Sequence, residues 1–449
     1  MNEKLAACVG ELNERICENH RTDTDLFAEL TEIQARLGLL YDTRPTCPFL
    51  RPHFLARSQY NEIARAAEII AETYRTLTLA ALENNKILAK FDLTEREERL
   101  ARINPGYDKI CVTSRLDTFI AGDDFKFLEY NAETPAGVGD QMQIEKVLNK
   151  IPEIREFLAE NKNWRPQPHR KLLAALFAAY REFGGQKSKP NIAIVDWKGV
   201  STESEFYILK DYFESQNFPT RLVDPFELEY DGEKLHAGDF EIDIFYKRVL
   251  IHEFLEKFDD THPFIRAYTD GNIFMANSFR VKIAHKKASF AILTDENYKH
   301  LFTPQQLEII RKHIPWTRKV AAGATEYNDK KIDLLEFLRR NRKTFLLKPN
   351  DDYGGKGIVL GWETSQSDWE RAIDEALRDS FIAQERVEIE KKEFPVFSDL
   401  VRLEKLLVDF DPFLFLNKVE GGLVRLSSSS LVNVTQGGGQ TALVVLEDF

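Results

Sequence analysis

Four residues in the stretch RLDTFIAGDDFKFLEYN, Arg115 to Asn131, have types and spacing suited to chemistry on a charged ligand. Two runs, CVTSRLDTFIA and FKFLEYNA, flank Gly122, Asp123 and Asp124. Closing them as a hairpin with a three-residue loop sets Asp117 opposite Glu129 and Arg115 opposite Asn131. Residues two apart share one face of a strand. That face carries a guanidinium, two carboxylates and an amide oxygen, while Leu116 and Leu128 point the other way. Hard cations such as Mg²⁺ take oxygen ligands of this kind, and an adjacent arginine suits a phosphate. Charged strand residues also form plain salt-bridged surface faces, and the hairpin alone does not choose between the two.

A second group of residues lies far along the chain. LLKPNDDYGGKG (346 to 357) is not a Walker A loop, which would need Gly at 350 and Ser or Thr at 357 where this chain has Asn350 and Gly357. Backbone N–H groups of Gly354, Gly355 and Gly357 suit a polyphosphate because no side chain obstructs them, and Lys348 on the preceding strand can reach a phosphate or an adenine. A simple glycine turn is the competing reading. HKKA sets Lys286 and Lys287 just before an apolar helix, a poor place for cations unless an anion sits there; solvated lysines are the alternative. His285 has no nearby metal-ligand partner and reads as structural. AQERVE (383 to 388) is either a hinge offering backbone groups to adenine or an ordinary charged strand end. Arg425 in GGLVRLSSSS is either a second phosphate-facing arginine or an edge-strand charge. The loop TQGGGQ (435 to 440) either touches ligand or merely turns.

These residues need elements to hold them. AACVGELNERICE, LFAELTEIQARLGLLY and SQYNEIARAAEIIAETYRTLTLAALENN repeat apolar residues at helical spacing, and TRPTCPFLRPHF (43 to 54), with three prolines, breaks them as a loop. After the hairpin comes the loop NAETPAGVGDQ and one helix over 141 to 160. The linker NKNWRPQPHR (161 to 170) precedes a helix over 170 to 183. NIAIVDW, ESEFYILKDYFESQ, PTRLVDP and EIDIFYKRVL then alternate strand and helix, which predicts a small parallel sheet. Its first turn lacks GxGxxG, so a dinucleotide site is not expected. Helices follow near 304 to 312 and 331 to 341. TFLLKPNDDYGGKGIVLGW reads as strand, glycine loop, strand; FIAQERVEI is a further strand, and DLVRLEKLLVDFDPFLFLNKVEGGLVRLSSSSLVNVTQGGG (399 to 439) reads as several strands of one antiparallel sheet.

Bulk properties narrow the classes. With 449 residues, 43% of them hydrophobic, the chain calls for two or three domains. A net charge of −12 argues against non-specific nucleic-acid binding but leaves room for a local basic pocket. Cys8, Cys17, Cys47 and Cys111 show no CxxC and read as reduced thiols of a cytoplasmic protein. No run approaches the ~20 apolar residues of a membrane span, and the first residues lack a signal core.

Taken in order, RLD with FLEYNAETPAG, HKKA, LLKPNDDYGGKGIVLGW, AQERVE and VRLSSSSLVNVTQGGG resemble the ATP-grasp superfamily. Within it they resemble the glutathionylspermidine synthase-like branch and the related circularly permuted proteins of bacteria, over roughly residues 45 to 445. The metal element precedes the nucleotide lysines here, the reverse of the ordinary order. The resemblance implies an α/β (α+β) protein with the ATP-grasp fold in circularly permuted order. Its parts would be a mainly helical region (1–100), the metal-site hairpin of the core (101–160), a βαβ substrate domain (165–275) and ATP-binding lobes (276–449). It implies that Asp117, Glu129 and Asn131 hold Mg²⁺, and that Arg115 contacts the transferred phosphate with Arg425 near an acyl phosphate. Lys287 and Lys348 would bind nucleotide, Tyr353, Gly354, Gly355, Lys356 and Gly357 would cover the phosphates, and Gln384, Glu385 and Val387 would form the adenine hinge. The implied activity is an ATP-dependent carboxylate–amine ligase whose small-molecule partners are a carboxylate and an amine, such as an amino acid, peptide or polyamine. The helical first hundred residues do not match the cysteine amidase domain of the bifunctional enzymes. A non-catalytic nucleotide-binding protein and a phosphotransferase using the same site are the alternatives.

Overall fold

Apolar residues recurring every three to four positions produce the helices Glu3–Asn19, Thr24–Arg36 and Arg57–Glu83. The proline-marked segment before the third helix ends the helical run as expected but is not all loop: it contains the short strand Arg44–Pro45 and enters the strand His53–Ala56, which pairs with a distant strand near the C-terminal end. The computed structural model describes residues 3–41, 44–352, 354–398, 400–429 and 438–449. The single helix expected over 141 to 160 is two, Asp140–Leu148 and Pro152–Glu160. Pro152 explains the break: it has no N–H to donate and is accommodated only in a first helical turn, so a new helix starts there.

The long helix Arg57–Glu83 covers one face of an antiparallel sheet. Its strand order is Gly439–Thr441, Lys418–Ser427, Val401–Phe415, Thr113–Ala121 and Asp124–Asn131, with Lys391–Phe397 paired to the first half of the long strand. Leu116, Phe127, Tyr130, Phe410 and Val424 point into the core beside Ile63, Ile70 and Tyr74 of the helix. The Tyr74 and Tyr130 rings stack with centroids 4.2 Å apart. Alternation sends the intervening residues to the opposite face, where the charged groups lie.

The strand–helix rhythm at 190 to 250 gives the expected parallel sheet, Thr220–Val223, Ile192–Val195 and Ile244–Lys247. A fourth strand, Phe274–Ala276, is added beyond Ile244–Lys247. It was hidden in the sequence because three residues are too few to show a period. Thr317–Lys319, Phe381–Glu385, Phe345–Pro349 and Val359–Leu360 form a second antiparallel sheet. Finally, Leu443–Leu446 lies between His53–Ala56 and Asn163–Trp164. All four cysteines are free thiols. No helix among the described residues is long and apolar enough to cross a membrane.

Candidate functional site

The hairpin sets the geometry of the site. Arg115 pairs with Asn131 and Asp117 with Glu129, the register the sequence predicts, but the route differs. The turn is two residues, Gly122 and Asp123, with Ala121 opposite Asp124 and Gly122 at φ 63°. An extra residue, Leu128, then bulges between the Thr118–Phe127 and Asp117–Glu129 pairs and restores the offset. Leu128 therefore does not point to the core with Leu116: it lines the cavity beside Glu129. Alternation breaks at a bulge, and sequence spacing does not reveal where one falls.

Asp117 sits at the centre. Its Oδ1 accepts from Arg115 Nε at 3.1 Å and Asn131 Nδ2 at 2.7 Å, and its Oδ2 from Arg425 Nη2 at 2.8 Å. Burial pushes its carboxyl up, yet the Arg425 and Arg115 guanidiniums outweigh that and hold it at about 2. Glu129 Oε1 meets Lys287 Nζ at 3.1 Å. Burial raises this carboxyl too, with Asp117 adding to it, but Lys287, Lys348 and His285 together outweigh them, so the net shift is downward. Both acids are thus held ionised.

Arg425 is no edge-strand charge. It is buried between two strands, paired with Asp409 on one side and Gln440 on the other. Its Nη2 also lies 2.6 Å from Asp409 Oδ2 and 2.8 Å from Asp411 Oδ2. Burial raises the carboxyls of both aspartates, with Arg425 opposing. Asp409 and Asp411 were missed in the sequence. The available signal was two carboxylates two residues apart inside the apolar run LLVDFDPFLF, which places both on one face of a buried strand.

The lysines arrive from two other elements. Lys287 precedes the short helix Ala288–Leu293, whose first N–H is accepted by Asn350 Oδ1 at 2.8 Å. The negative charge expected near HKKA is supplied by protein groups: Lys286 Nζ is 2.6 Å from Asp351 Oδ2, and Lys287 faces Glu129. Lys287 Nζ also donates to the Asp352 carbonyl at 2.6 Å, tying it to the root of the glycine loop. Lys348 is buried and donates to the Leu128 carbonyl at 3.2 Å. Burial lowers its pKa to about 8, with Glu129 opposing. His285 is buried, and burial holds its pKa down at about 4.

Arg115, Asp117, Glu129, Asn131, Lys348, Gly354, Gly355, Gln384, Glu385, Val387 and Arg425 all line one cavity of about 710 Å³. Lys287 reaches its wall through Glu129. Gly354, Gly355 and Gly357 take φ values of 65°, 76° and 70°, a region open chiefly to glycine. Gly357 and Lys356 are exposed and are not among the lining residues, and Tyr353 lies outside the described residues. Gln384 is fully buried; its Nε2 donates to Thr317 Oγ1 at 3.3 Å, and its Oε1 has no hydrogen-bond partner among the described residues. The Glu385 carboxylate accepts from Tyr327 at 2.6 Å. No group of three or more His, Cys, Asp or Glu side chains among the described residues is placed to hold a metal ion by itself.

No family model matches the chain. Uncharacterized proteins of Mycobacterium tuberculosis and Mycobacterium bovis are 24% identical over 343 residues, 72% of this chain, and the chain spans 58% of the length of these curated relatives. Among solved structures, a putative gamma-glutamylcysteine synthetase of Methylobacillus flagellatus overlaps with a TM-score of 0.44 at 13% identity, over 87% of this chain and 89% of its own. A glutathione synthetase-like effector from Globodera pallida, in its apo form, overlaps with a TM-score of 0.59 over 93% of this chain and 96% of its own, at 12% identity. At that identity the likeness to the effector is one of fold.

Proposed function

We propose that the protein is an ATP-dependent carboxylate–amine ligase with an ATP-grasp core in circularly permuted order, joining a small carboxylate to a small amine through an acyl phosphate. One observation carries the reading. Two arginines and two lysines from four separate segments converge with two ionised carboxylates on a single cavity roofed by a glycine loop. A cation-rich pocket that keeps two carboxylates charged suits a polyphosphate bound with a divalent cation. The synthetase-like fold of the effector supports it.

The donor chemistry fits Mg²⁺ held partly by protein and partly by phosphate. Asp117 and Glu129 are ionised, Asn131 adds an amide, and no all-protein cage is present among the described residues, which accords with an ion that keeps water and phosphate ligands. When bound, the ion would neutralise charge on the phosphates. The chain's own residues do the rest. Arg115 and Arg425 present donors to a phosphoryl group, Lys348 and Lys287 add positive charge, and the glycine loop covers the phosphates. Gln384 Oε1 offers a buried acceptor to the exocyclic amine of adenine. The substrate carboxylate takes the γ-phosphoryl group, ADP leaves, and the amine displaces phosphate. No protein nucleophile is required.

Phosphate release from Mg-ATP, measured against amino acids, short peptides and polyamines tested in pairs, checks this. The expected result is release with one carboxylate and one amine together, reduced at least 100-fold in Asp117→Asn and Glu129→Gln. Full activity in those variants removes the site assignment. Calorimetric ATP binding without turnover for any pair moves the reading to a non-catalytic nucleotide-binding protein.

A further inference from the structure

The cavity continues past Arg425 to a carboxylate that the phosphate chemistry leaves unused. Gln440 is the strand neighbour of Arg425 and lines the cavity beside it. Its Nε2 donates to Asp140 Oδ2 at 2.7 Å. Asp140 is thereby fixed one hydrogen bond away from a residue adjoining the arginine assigned to the acyl phosphate. The loop that carries it is pinned from the same site: Arg115 Nη1 donates to the Ala136 carbonyl at 3.0 Å.

Charge accounting separates Asp140 from its neighbours. Asp117 and Asp409 face Arg425, Glu129 faces Lys287, and Glu205 faces Arg248 at 3.4 Å. Asp140 forms no ion pair among the described residues. It opens the helix Asp140–Leu148, but the Gly139 cap carries no side-chain bond, and the Asp140 carboxylate turns to Gln440 instead. On the same cavity wall, Thr134 Oγ1 is buried with no hydrogen-bond partner among the described residues. Burial and the nearby Glu205 push the Asp140 carboxyl up to about 7, against Gln440 and Arg248. A half-buried carboxylate with no ion-pair partner among the described residues, on the wall of a ligand cavity, is costly unless the ligand brings the cation.

We infer that Asp140 receives the ammonium group of the incoming amine substrate and takes its proton, so that the second substrate enters as a cation at the Gln440 side of Arg425. This rests on the ligase reading. One proton passes from the ammonium nitrogen to the Asp140 carboxylate. The freed lone pair forms the C–N bond, and the C–O bond to phosphate breaks, with its electrons leaving on phosphate. The second nitrogen proton leaves with phosphate, and Asp140 returns its own to solvent.

Binding and turnover test this separately. With Mg-ADP present, calorimetry compares 1,4-diaminobutane with the uncharged 1,4-butanediol. The wild-type protein should bind the diamine at least tenfold more tightly than the diol, and Asp140→Asn, nearly identical in shape and still able to accept from Gln440, should lose that preference. Equal affinities in the wild type, or an undiminished preference in the variant, overturn the assignment whatever the turnover. For turnover, acyl phosphate is trapped with hydroxylamine, which is largely uncharged at neutral pH. The ratio of amide product to hydroxamate should fall at least tenfold in Asp140→Asn and recover in part in Asp140→Glu; a ratio within threefold of wild type overturns it. Absence of both hydroxamate and amide from the wild type, across the amino-acid and peptide panel, counts against the ligase reading, while the diamine preference still decides the role of Asp140.

Discussion

Arg425 stabilises more of the site than any other residue, since Asp117, Asp409 and Asp411 all lie within 2.8 Å of one of its nitrogens. Removing one partner from a buried ionic cluster leaves the others uncompensated, which typically costs about 3–5 kcal/mol. Arg425→Met should therefore lower stability by about that amount in urea denaturation. Adding Asp409→Asn and Asp411→Asn to it should recover a substantial part. If the single variant unfolds at the wild-type midpoint, the aspartates are not held by this arginine. The residues of this cluster were unevenly legible. Arg115, Asp117, Glu129 and Asn131 show themselves because they alternate on a short hairpin. Asp409 and Asp411 meet them only across a strand pairing that links distant parts of the chain, Asp409 opposite Phe119. Asp140 depends on Gln440 in the same way, and no local pattern announces contacts of that range.

At the scale of elements, the N-terminal helix is fastened by a titratable contact. His20, just after Glu3–Asn19, meets Asp23 through Nδ1 at 3.0 Å and Glu153 of the Pro152–Glu160 helix through Nε2 at 2.9 Å. Burial lowers the imidazole pKa, but the hydrogen bonds and charges of Asp23 and Glu153 outweigh it and raise it above the usual 6.5. A raised histidine contributes stability that is fully present below pH 6.5 and is lost as pH rises through the folded-state pKa. The contact is partly solvated, so the effect should be at most about 1 kcal/mol. Amide exchange in Glu3–Asn19 should quicken as pH rises above 6.5, beyond the intrinsic increase of exchange with pH. His20→Gln should remove that excess; an excess that persists in the variant assigns it elsewhere. Elements were legible where their period was long. The 27-residue helix Arg57–Glu83 and the alternating strands of the parallel sheet emerge from the sequence alone. The bulge at Leu128 and the break at Pro152 are single-residue events that a period averages away.

For the whole molecule, the strand Leu443–Leu446 is a keystone. All four of its side chains are buried, and it pairs on both sides, with His53–Ala56 and Asn163–Trp164. Burying each such side chain contributes about 1.5–3 kcal/mol, and the sum rivals the net stability of an ordinary domain, about 5–15 kcal/mol. Removing residues 443–449 should leave no cooperative thermal transition. A truncated protein that melts within a few degrees of the full chain shows that this strand is dispensable.

The way the central sheet is threaded also bears on how the protein is made. The hairpin that carries Asp117 and Glu129 leaves the ribosome long before Val401–Phe415, the strand that pairs with it and brings the partners of Arg425. Until then Thr113–Ala121 has an open edge, and its charged face lacks Arg425. An open strand edge on a nascent chain invites pairing with other chains. The same closure that assembles the site last makes its assembly slow, so yield of the intact protein should depend on chaperones that shield the hairpin during synthesis.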